Sequence, residues 1–435
     1  MPGNYKKRQE KITFDALMQT VRAEFADISD HRRANAKYRL TDVLGSAFAM
    51  FSLKAPSLLS FDERTTVESR NLKSLYRIEA IPSDTQMRAA LDPVDPAPLR
   101  QLFHTLFDTV QAAGVIREYH FWRDYVLVTV DGVEHFASRK IHCEQCSTRT
   151  LRDGTTEYFH AGLGAVLVNP AHAEVLPLDF EPILKPDGAK KNDCERNAAK
   201  RLGAALHERY PDLNIILVED ALYANAPHLR QINEYGWKFI LNVKPDSHAS
   251  LEKQFAGRRA TGQVQEWSYT DAQGVKHYFA WTKDLCLNDS AIDVTVNYLL
   301  YEETDQQGVT TRWTWVTNLP LTKRTVEPVM RAGRSRWKIE NETFNTLKNQ
   351  GYHFEHNYGH GEKNLATVLA LLMFLAFTVD QMIQRCWKTF RQVRAGLRTK
   401  AKLWESLRAL FKVKFFRSME ALYRQMAELY DIQLC

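Results

Sequence analysis

Two apolar segments of this chain each end in an aspartate, and this pattern constrains the fold more than any other feature. In residues 124–133 the run Tyr-Val-Leu-Val-Thr-Val precedes Asp131, and in residues 213–221 the run Ile-Ile-Leu-Val-Glu precedes Asp220. Runs rich in β-branched residues predict buried strands. An ionised carboxylate at the end of such a strand is costly unless positive charge meets it. Taken singly, each aspartate is also compatible with a turn or a helix cap.

A third acid lies in a predicted helix over residues 336–348, which stops before Asn349-Gln350-Gly351. On a helix with about 100° per residue, one face carries a carboxylate, two cations and three apolar side chains. These are Glu340, Arg336, Lys348, Trp337, Phe344 and Leu347. Glu342 points away from this face. That mixture indicates an acid held against a protein surface, although a solvated helix with ion pairs would also show it. Asp131, Asp220 and Glu340 together offer the hard oxygen ligands that hold two Mg²⁺ or Mn²⁺ ions for displacement at phosphorus.

The run Arg-Trp-Lys-Ile-Glu-Asn-Glu over residues 336–342, followed by Gly-Tyr-His-Phe-Glu-His-Asn-Tyr-Gly-His-Gly over residues 351–361, resembles the IS4-like group of insertion-sequence DDE transposases. In that group a tyrosine, an arginine, a glutamate and a lysine are separated by two, three and six residues. Arg336 and Glu340 fit this spacing, whereas Gly333 stands at the tyrosine position and Lys348 lies one residue late. The resemblance covers roughly residues 35–385.

This resemblance implies an RNase H-like core with Asp131, Asp220 and Glu340 as the catalytic, metal-binding acids. It also implies that Arg336 and Lys348 contact DNA phosphates and that a tryptophan stacks on an extruded base. Trp313 and Trp315 lie two residues apart, and therefore on one face of a predicted strand, where they could also be core residues. Trp313 matches the family position better than Trp315 does, and Trp337 is a second candidate.

The resemblance implies a transposase that cuts transposon ends and joins them to target DNA, using two Mg²⁺ (or Mn²⁺) ions for nucleotidyl transfer. Transposon-end DNA and target DNA would be its partners, and paired ends favour a homodimer. Two other functions remain open at this point. One is a metal-dependent DNA nuclease of the same fold that does not join ends, and the other is a catalytically silent, transposase-derived DNA-binding protein.

The order of predicted elements gives the fold class and the domains. The predicted elements are, in order, three strands, a helix over residues 191–208, a strand, a helix and a strand. This order predicts an α/β, RNase H-like mixed sheet. The expected domains are a helical DNA-binding region (1–115), the catalytic core (116–244 and 321–384), a β-strand insertion domain (245–320) and a basic helical C-terminal region (385–435). A chain of 435 residues is long enough for two or three domains.

Charge and hydropathy narrow the functional classes. A net charge of +6 is compatible with a polyanionic partner. From Arg385 to Arg417 there are eleven Lys or Arg residues and one acid, which indicates a DNA-binding or subunit-contact element.

The apolar run Leu365–Val379 is too short to span a bilayer, so it predicts a buried helix and no membrane partner. The N-terminus lacks a signal-peptide core. We therefore expect a protein of the bacterial cytoplasm that associates with the nucleoid when bound to DNA.

Six cysteines are present, and in an intracellular chain disulfides are not expected. Cys143 and Cys146 lie in the connection between the first two predicted strands, and Cys194 follows the third. If the first three strands form an antiparallel meander, the connection between the first two strands and the end of the third strand lie at the same end of the sheet. These thiols, with His160 or His142 as a fourth ligand, predict a possible structural zinc site, although a single Cys-x-x-Cys pair is also compatible with free buried thiols. The histidines of residues 352–361 are predicted to anchor their loop, because hard divalent ions prefer oxygen.

Overall fold

The computed structural model describes residues 2–185 and 192–434, and helices flank a large sheet. The first helices are α1 (Pro2–Gln9), α2 (Phe14–Asp27), α3 (Leu40–Ser52), α4 (Leu58–Asp62), α5 (Thr66–Tyr76), α6 (Asp84–Leu91) and α7 (Ala97–Ala112), and a 3₁₀ turn over Val115–Tyr119 follows. Three helices follow in the middle of the chain: α8 (Glu195–Arg209), α9 (Ala226–Glu234) and α10 (Ala249–Ala260). The last six helices are α11 (Val326–Arg334), α12 (Asn345–Asn349), α13 (Leu365–Cys386), α14 (Lys388–Gly396), α15 (Lys400–Val413) and α16 (Met419–Leu429).

Eleven strands form one mixed sheet in the described part of the chain. They are β1 (His120–Trp122), β2 (Tyr125–Ser138), β3 (Ser147–Thr150), β4 (Thr156–Val168), β5 (Leu176–Ile183), β6 (Ile215–Glu219), β7 (Lys238–Asn242), β8 (Gln265–Thr270), β9 (Lys276–Cys286), β10 (Thr295–Thr304) and β11 (Thr310–Thr317). The predicted α/β mixed sheet between helical terminal regions is confirmed.

The core half of the sheet has the arrangement that the order of elements predicts. β4 lies antiparallel to both β2 and β5, and β6 lies parallel to both β2 and β7. The spatial order β5-β4-β2-β6-β7 is therefore three antiparallel strands followed by two parallel ones, which is the RNase H-like pattern. Helix α8, predicted over residues 191–208, is described from Glu195, and Lys191 lies outside the described residues.

The strands of the predicted insertion extend this core sheet. β11 pairs antiparallel with β7, and β10, β9 and β8 continue outwards from it. Helix α10, which the sequence pattern did not predict, precedes these strands and packs on β9. The domain boundaries given above stay a prediction.

Helix α13 fills the space between the sheet and the terminal helices. It packs against α3, α7 and β5, and nearly all of its side chains are buried. By length and composition its 22 residues could cross a membrane, yet 94% of its most apolar window is buried inside the protein. The predicted buried helix is therefore confirmed, and it is longer than the apolar run that predicted it.

The segment of residues 336–348 is not one regular α-helix. Helix α11 ends at Arg334, a π-helical turn spans Ile339–Phe344, and α12 continues to Asn349. A π-turn adds a residue to the helical repeat, so the face computed at 100° per residue does not hold along the whole segment. Such turns occur often at functional sites.

A buried ion pair connects the N-terminal helices to α13. Lys54 is 2% exposed, and its Nζ lies 2.6 Å from Oδ2 of Asp380. The same ammonium lies 4.0 Å from the ring centre of Tyr352 and 4.4 Å from that of Trp404. The Tyr352 hydroxyl donates a hydrogen bond to Asp380. Groups from four separate parts of the chain therefore share one desolvated charge pair.

We expect Lys54→Met to destabilise the protein by roughly 3–5 kcal/mol, because it leaves the Asp380 carboxylate buried without a cation. Urea unfolding of the full chain measures this. The double variant Lys54→Met/Asp380→Leu removes both charges and should recover much of the loss. A single variant as stable as the unmodified protein would contradict the prediction.

Candidate active site

Asp131 and Asp220 lie side by side at one level of the sheet. β2 and β6 are neighbouring parallel strands in which Thr129 is paired with Val218. Both aspartates come two residues beyond that pair, so they point to the same face of the sheet from adjacent strands. Asp131 lies within β2, whereas β6 ends at Glu219, one residue before Asp220.

Arg336 connects the first of these acids to Glu340. Its Nη1 lies 3.2 Å from Oδ2 of Asp131 and 2.7 Å from Oε1 of Glu340. Glu340 is in the π-helical turn, one turn beyond Arg336, and its side chain is half exposed. The guanidinium therefore holds carboxylates from the centre of the sheet and from the helical segment against each other.

The environment of Asp131 is short of positive charge. Burial raises the pKa of its carboxyl to about 6, against the lowering effects of Arg336 and of the hydrogen bond from the Gly132 N–H. The negative charges of Glu340 and Asp220 raise the same pKa further. One arginine thus compensates only part of the negative charge that the three acids bring together.

A fourth carboxylate, Glu195, belongs to this group, and the sequence analysis missed it. The Glu195 side chain lies against Gly132, the residue after Asp131. A Cβ at residue 132 would be only 2.4 Å from Oε1 of Glu195, so the absence of a side chain there leaves room for the carboxylate. Burial and the charge of Asp220 raise the pKa of the Glu195 carboxyl. Glu195 begins α8. An acid in the first turn of a helix is common, so its sequence position gives no separate signal.

Tyr223 places a hydroxyl among the same acids. It is buried, and its oxygen makes no hydrogen bond of ordinary geometry with a described residue, although it lies close enough to Glu195 to lower the pKa of that carboxyl. Burial and the charges of Glu219, Glu195, Asp131 and Asp220 raise its pKa well above the usual value. The hydroxyl therefore keeps its proton and is free to donate it in a hydrogen bond.

The donor atoms suit a hard divalent cation, since carboxylate oxygens are what Mg²⁺ and Mn²⁺ prefer. The surplus of negative charge around Asp131 points the same way. The acids are not gathered tightly, however. Among the described residues, the only group of three or more donors within 4.8 Å of one another consists of cysteines and histidines. Arg336 lies between Asp131 and Glu340, so a cation shared by all three acids requires this guanidinium to shift.

The candidate tryptophans differ in exposure. Trp315 is fully buried and packs against Gly333. A Cβ at residue 333 would be only 2.5 Å from Nε1 of Trp315, so the indole fills the space that a side chain there would need. Trp313 is half-buried, 5.5 Å from Tyr301 between ring centres and 4.6 Å from the Arg334 guanidinium.

Trp337 is 43% exposed and lines a cavity of about 460 Å³ that opens beside the acid-bearing segment. Tyr269, Tyr301, Arg331 and Arg334 line the same cavity. Of the three tryptophans, Trp337 is therefore the one most open to a ligand.

Cations outside the acid group are partly engaged. Lys348 pairs with Glu355 at 2.6 Å. A separate cavity of about 760 Å³, here called the basic cleft, is lined by the loop after α12 and by the C-terminal helices. Four of its cations make no ion pair with any described residue: Arg394, Arg398, Lys400 and Arg408. These four cations lie within residues 385–417, the region that the charge pattern singled out.

The predicted zinc ligands come together only in part. Cys143, Cys146 and His160 lie in one cluster, and the fourth member is His360. The expectation that Cys194 joins them is wrong, because it is exposed at the N-cap of α8, and His142 instead stacks on Tyr158 at the surface. The prediction missed His360 because it interpreted the histidines of residues 352–361 as anchors of their loop and did not consider them as zinc ligands. Cys435 lies outside the described residues.

A comparison with known protein families matches part of this chain. Residues 181–378, a little under half of the chain, match the family model described as "Transposase DDE domain". That span includes Asp220 and Glu340 but not Asp131. No curated protein matches. One similar solved structure is titled "Cryo-EM structure of piggyBac transposase synaptic complex with hairpin DNA (SNHP)". Its sequence is 11% identical to this one, and the match covers 97% of this chain and 82% of the chain in that structure. Its TM-score of 0.42 is too low to carry a functional argument.

The raised pKa of Asp131 predicts how stability changes with pH. The carboxyl titrates near pH 6 when folded and near pH 3.9 when unfolded, so the folded protein holds the proton more tightly. Stability therefore falls as pH rises from about 4 to above 6. Asp131→Asn removes this penalty and should be more stable by roughly 1–3 kcal/mol at pH 7.5, with the difference vanishing near pH 4.

Thermal unfolding at several pH values, without added divalent cations, measures this difference. Asp246→Asn removes an equal charge from an exposed position and should give no such gain. A variant less stable than the unmodified protein at pH 7.5 would show that the Arg336 contact outweighs the burial of Asp131.

Proposed function

We propose that this chain is a DNA transposase that cuts the ends of a mobile element and joins them to target DNA. The observation that carries the proposal is the meeting of Asp131 and Glu340 across Arg336, with Asp220 beside Asp131 on the adjacent strand. The match of residues 181–378 to a transposase domain supports it from a separate direction.

Asp131, Asp220 and Glu340 are the residues that would hold Mg²⁺ or Mn²⁺. Bound there, two such ions supply charge neutralisation at a phosphodiester and a reactive water or 3′-hydroxyl for in-line displacement. No covalent intermediate with the protein is needed. The excess of carboxylates over arginines supports this assignment, because one guanidinium leaves negative charge for a divalent cation to balance.

The protein side chains around the acids have roles of their own. The planar Arg336 guanidinium can donate hydrogen bonds to a phosphate that enters beside Asp131. Asp131 is ionised above about pH 7, so the site is ready to bind cations at neutral pH. The Tyr223 hydroxyl holds its proton and can donate to an oxygen in the site. Glu195 is placed to accept a proton or to orient water next to Asp220.

Two surfaces supply contacts for DNA. The basic cleft presents unpaired cations that suit the phosphate backbone. The cavity at Trp337, with its tyrosines and arginines, suits an unstacked base, since aromatic rings and guanidinium groups both stack on bases. In this proposal Trp313 supports the wall of that cavity through Arg334, and Lys348 contributes positive charge near the backbone.

The proposal extends to assembly and location. Joining two ends requires two copies of the active site, so the working form is a homodimer on transposon-end and target DNA. It acts in the bacterial cytoplasm, on the nucleoid.

Removal of an acid tests the catalytic assignment. We expect Glu340→Gln to lower cleavage of DNA carrying the inverted repeats of the element by at least about 100-fold, equivalent to about 2.7 kcal/mol of transition-state stabilisation. Glu342→Gln, two residues along the same turn, is the matched control and should cleave normally. Cleavage in Mg²⁺ is followed on labelled ends, and binding is followed by gel shift.

Asp131→Asn and Asp220→Asn should behave like Glu340→Gln, with end binding retained within a fewfold. Normal cleavage by Asp131→Asn would exclude the proposed site. A strand-transfer assay with the unmodified protein separates a transposase from a nuclease, because only the transposase joins the cut 3′ ends to target DNA. Binding without any cleavage in Mg²⁺ or Mn²⁺ would instead favour a silent DNA-binding protein.

Charge removal tests the basic cleft. We expect the double variant Arg398→Gln/Arg408→Gln to bind DNA more weakly and to lower the slope of log K against log salt by about 0.9 for each lost phosphate contact. Arg424→Gln, which removes the same kind of charge from a pair with Glu420 on α16, is the control and should leave the slope unchanged. An unchanged slope in the double variant would place the DNA elsewhere.

A further inference from the structure

Four side chains from distant parts of the chain aim their ligand atoms at one point. Cys143 and Cys146 come from the connection between β2 and β3, and His160 comes from β4. His360 comes from the loop between α12 and α13, 200 residues further on. The two sulfurs and two imidazole nitrogens lie within 4.8 Å of one another. The acid group at Asp131 shares none of these atoms.

Five of the six distances between the ligand atoms are close to the edges of a tetrahedron around zinc, and the sixth, between Cys143 and His360, is within 4.8 Å. Zn–S bonds of about 2.3 Å and Zn–N bonds of about 2.05 Å give edges of about 3.8 Å between sulfurs, about 3.6 Å between sulfur and nitrogen and about 3.3 Å between nitrogens. The sulfurs of Cys143 and Cys146 are 3.8 Å apart. Nε2 of His160 lies 3.5 Å and 3.4 Å from those sulfurs. Nε2 of His360 lies 3.2 Å from the Cys146 sulfur and 3.1 Å from Nε2 of His160.

Protonation and hydrogen bonding also suit a metal ion. Nδ1 of His360 lies 2.9 Å from the carbonyl oxygen of Gly361, so this nitrogen donates its proton outwards and Nε2 keeps its lone pair for the cluster. The backbone N–H of Cys143 points at the Cys146 sulfur from 3.4 Å, which favours a thiolate. A separation of 3.8 Å is far beyond the length of about 2.05 Å of a disulfide bond.

Burial makes the site a closed one. Cys146 and His160 are each 1% exposed and His360 is 5% exposed, while Cys143 is half-buried. With four protein donors there is no open coordination position for water or substrate, which is typical of structural rather than catalytic zinc.

We propose that Cys143, Cys146, His160 and His360 bind one structural Zn²⁺ ion, which fastens the loop after the acid-bearing segment to the sheet. The connection to the catalytic strand is short, because His160 on β4 is paired with Phe136 of β2, and Asp131 lies further along the same pair of strands. This inference does not depend on the transposase proposal. A DNA-binding protein or a nuclease of this fold would use the ion in the same way.

The first test is metal analysis of the full chain, purified without a metal-chelating tag. We expect one zinc per chain and, after exchange with Co²⁺, the visible absorption of a tetrahedral site with thiolate ligands. Chelation should lower the unfolding temperature, and added Zn²⁺ should restore it. Protein with intact thiols and less than a tenth of an equivalent of zinc, or with a Cys143–Cys146 disulfide, would overturn the proposal.

Variants then identify the ligands. Cys146→Ser should lose the zinc, whereas Cys194→Ser should keep it, since Cys194 lies outside the cluster. His360→Cys guards against simple misfolding, because it keeps four ligands. We expect this variant to retain one metal ion and to show Co²⁺–thiolate absorption raised by about half, from two sulfurs to three. Zinc loss in Cys194→Ser, or an unchanged Co²⁺ spectrum in His360→Cys, would refute the ligand set. None of these measurements involves DNA, so the zinc proposal can fail while the transposase proposal stands.

Discussion

Repulsion among the carboxylates around Asp131 is the constraint that the rest of the structure accommodates. Asp131, Asp220, Glu340 and Glu195 lie in one region beside β2 and β6, and the cation that directly contacts two of them is Arg336. Like charges near one another cost free energy, and the rest of the fold must offset that cost. The backbone hydrogen bonds between β2 and β6 fix the two aspartates, and the start of α8, with its positive helix dipole, fixes Glu195.

The segment that carries Glu340 is anchored on both sides. Before it, α11 lies so close to the Trp315 indole that only glycine fits at residue 333. After it, the loop of residues 351–361 is fixed by buried side chains: the Tyr352 hydroxyl donates to Asp380, and the Tyr358 hydroxyl donates to the carbonyl oxygen of Ala55. These contacts therefore fix the π-helical turn that carries Glu340 from both sides.

The sequence predicted the fold well where local pattern and packing agree. The apolar runs before Asp131 and Asp220 became adjacent parallel strands, and the order of strands and helices was enough for the RNase H-like arrangement. The same runs could not reveal Glu195, because it reaches the site only through the space that Gly132 leaves open. Nor could a fixed angle of 100° per residue describe the segment around Glu340, because the extra residue of a π-turn is set by tertiary contacts.

The thiol cluster shows the same limit at longer range. Topology predicted that Cys143, Cys146 and Cys194 meet, with His160 or His142 as a fourth ligand. Cys143, Cys146 and His160 do meet, and Cys194 does not join them. His360 arrives instead because its loop turns sharply before α13, where Asp92 accepts hydrogen bonds from the backbone N–H groups of Glu362, Lys363 and Leu365. Gly361 makes that turn at a φ of 69°, and a Cβ there would collide with the capping carboxylate. The glycine and the Asp92 cap thus fix the direction of the His360 side chain. The same buried position therefore accounts both for the contact of His360 with the Gly361 carbonyl oxygen and for its place beside Cys146 and His160.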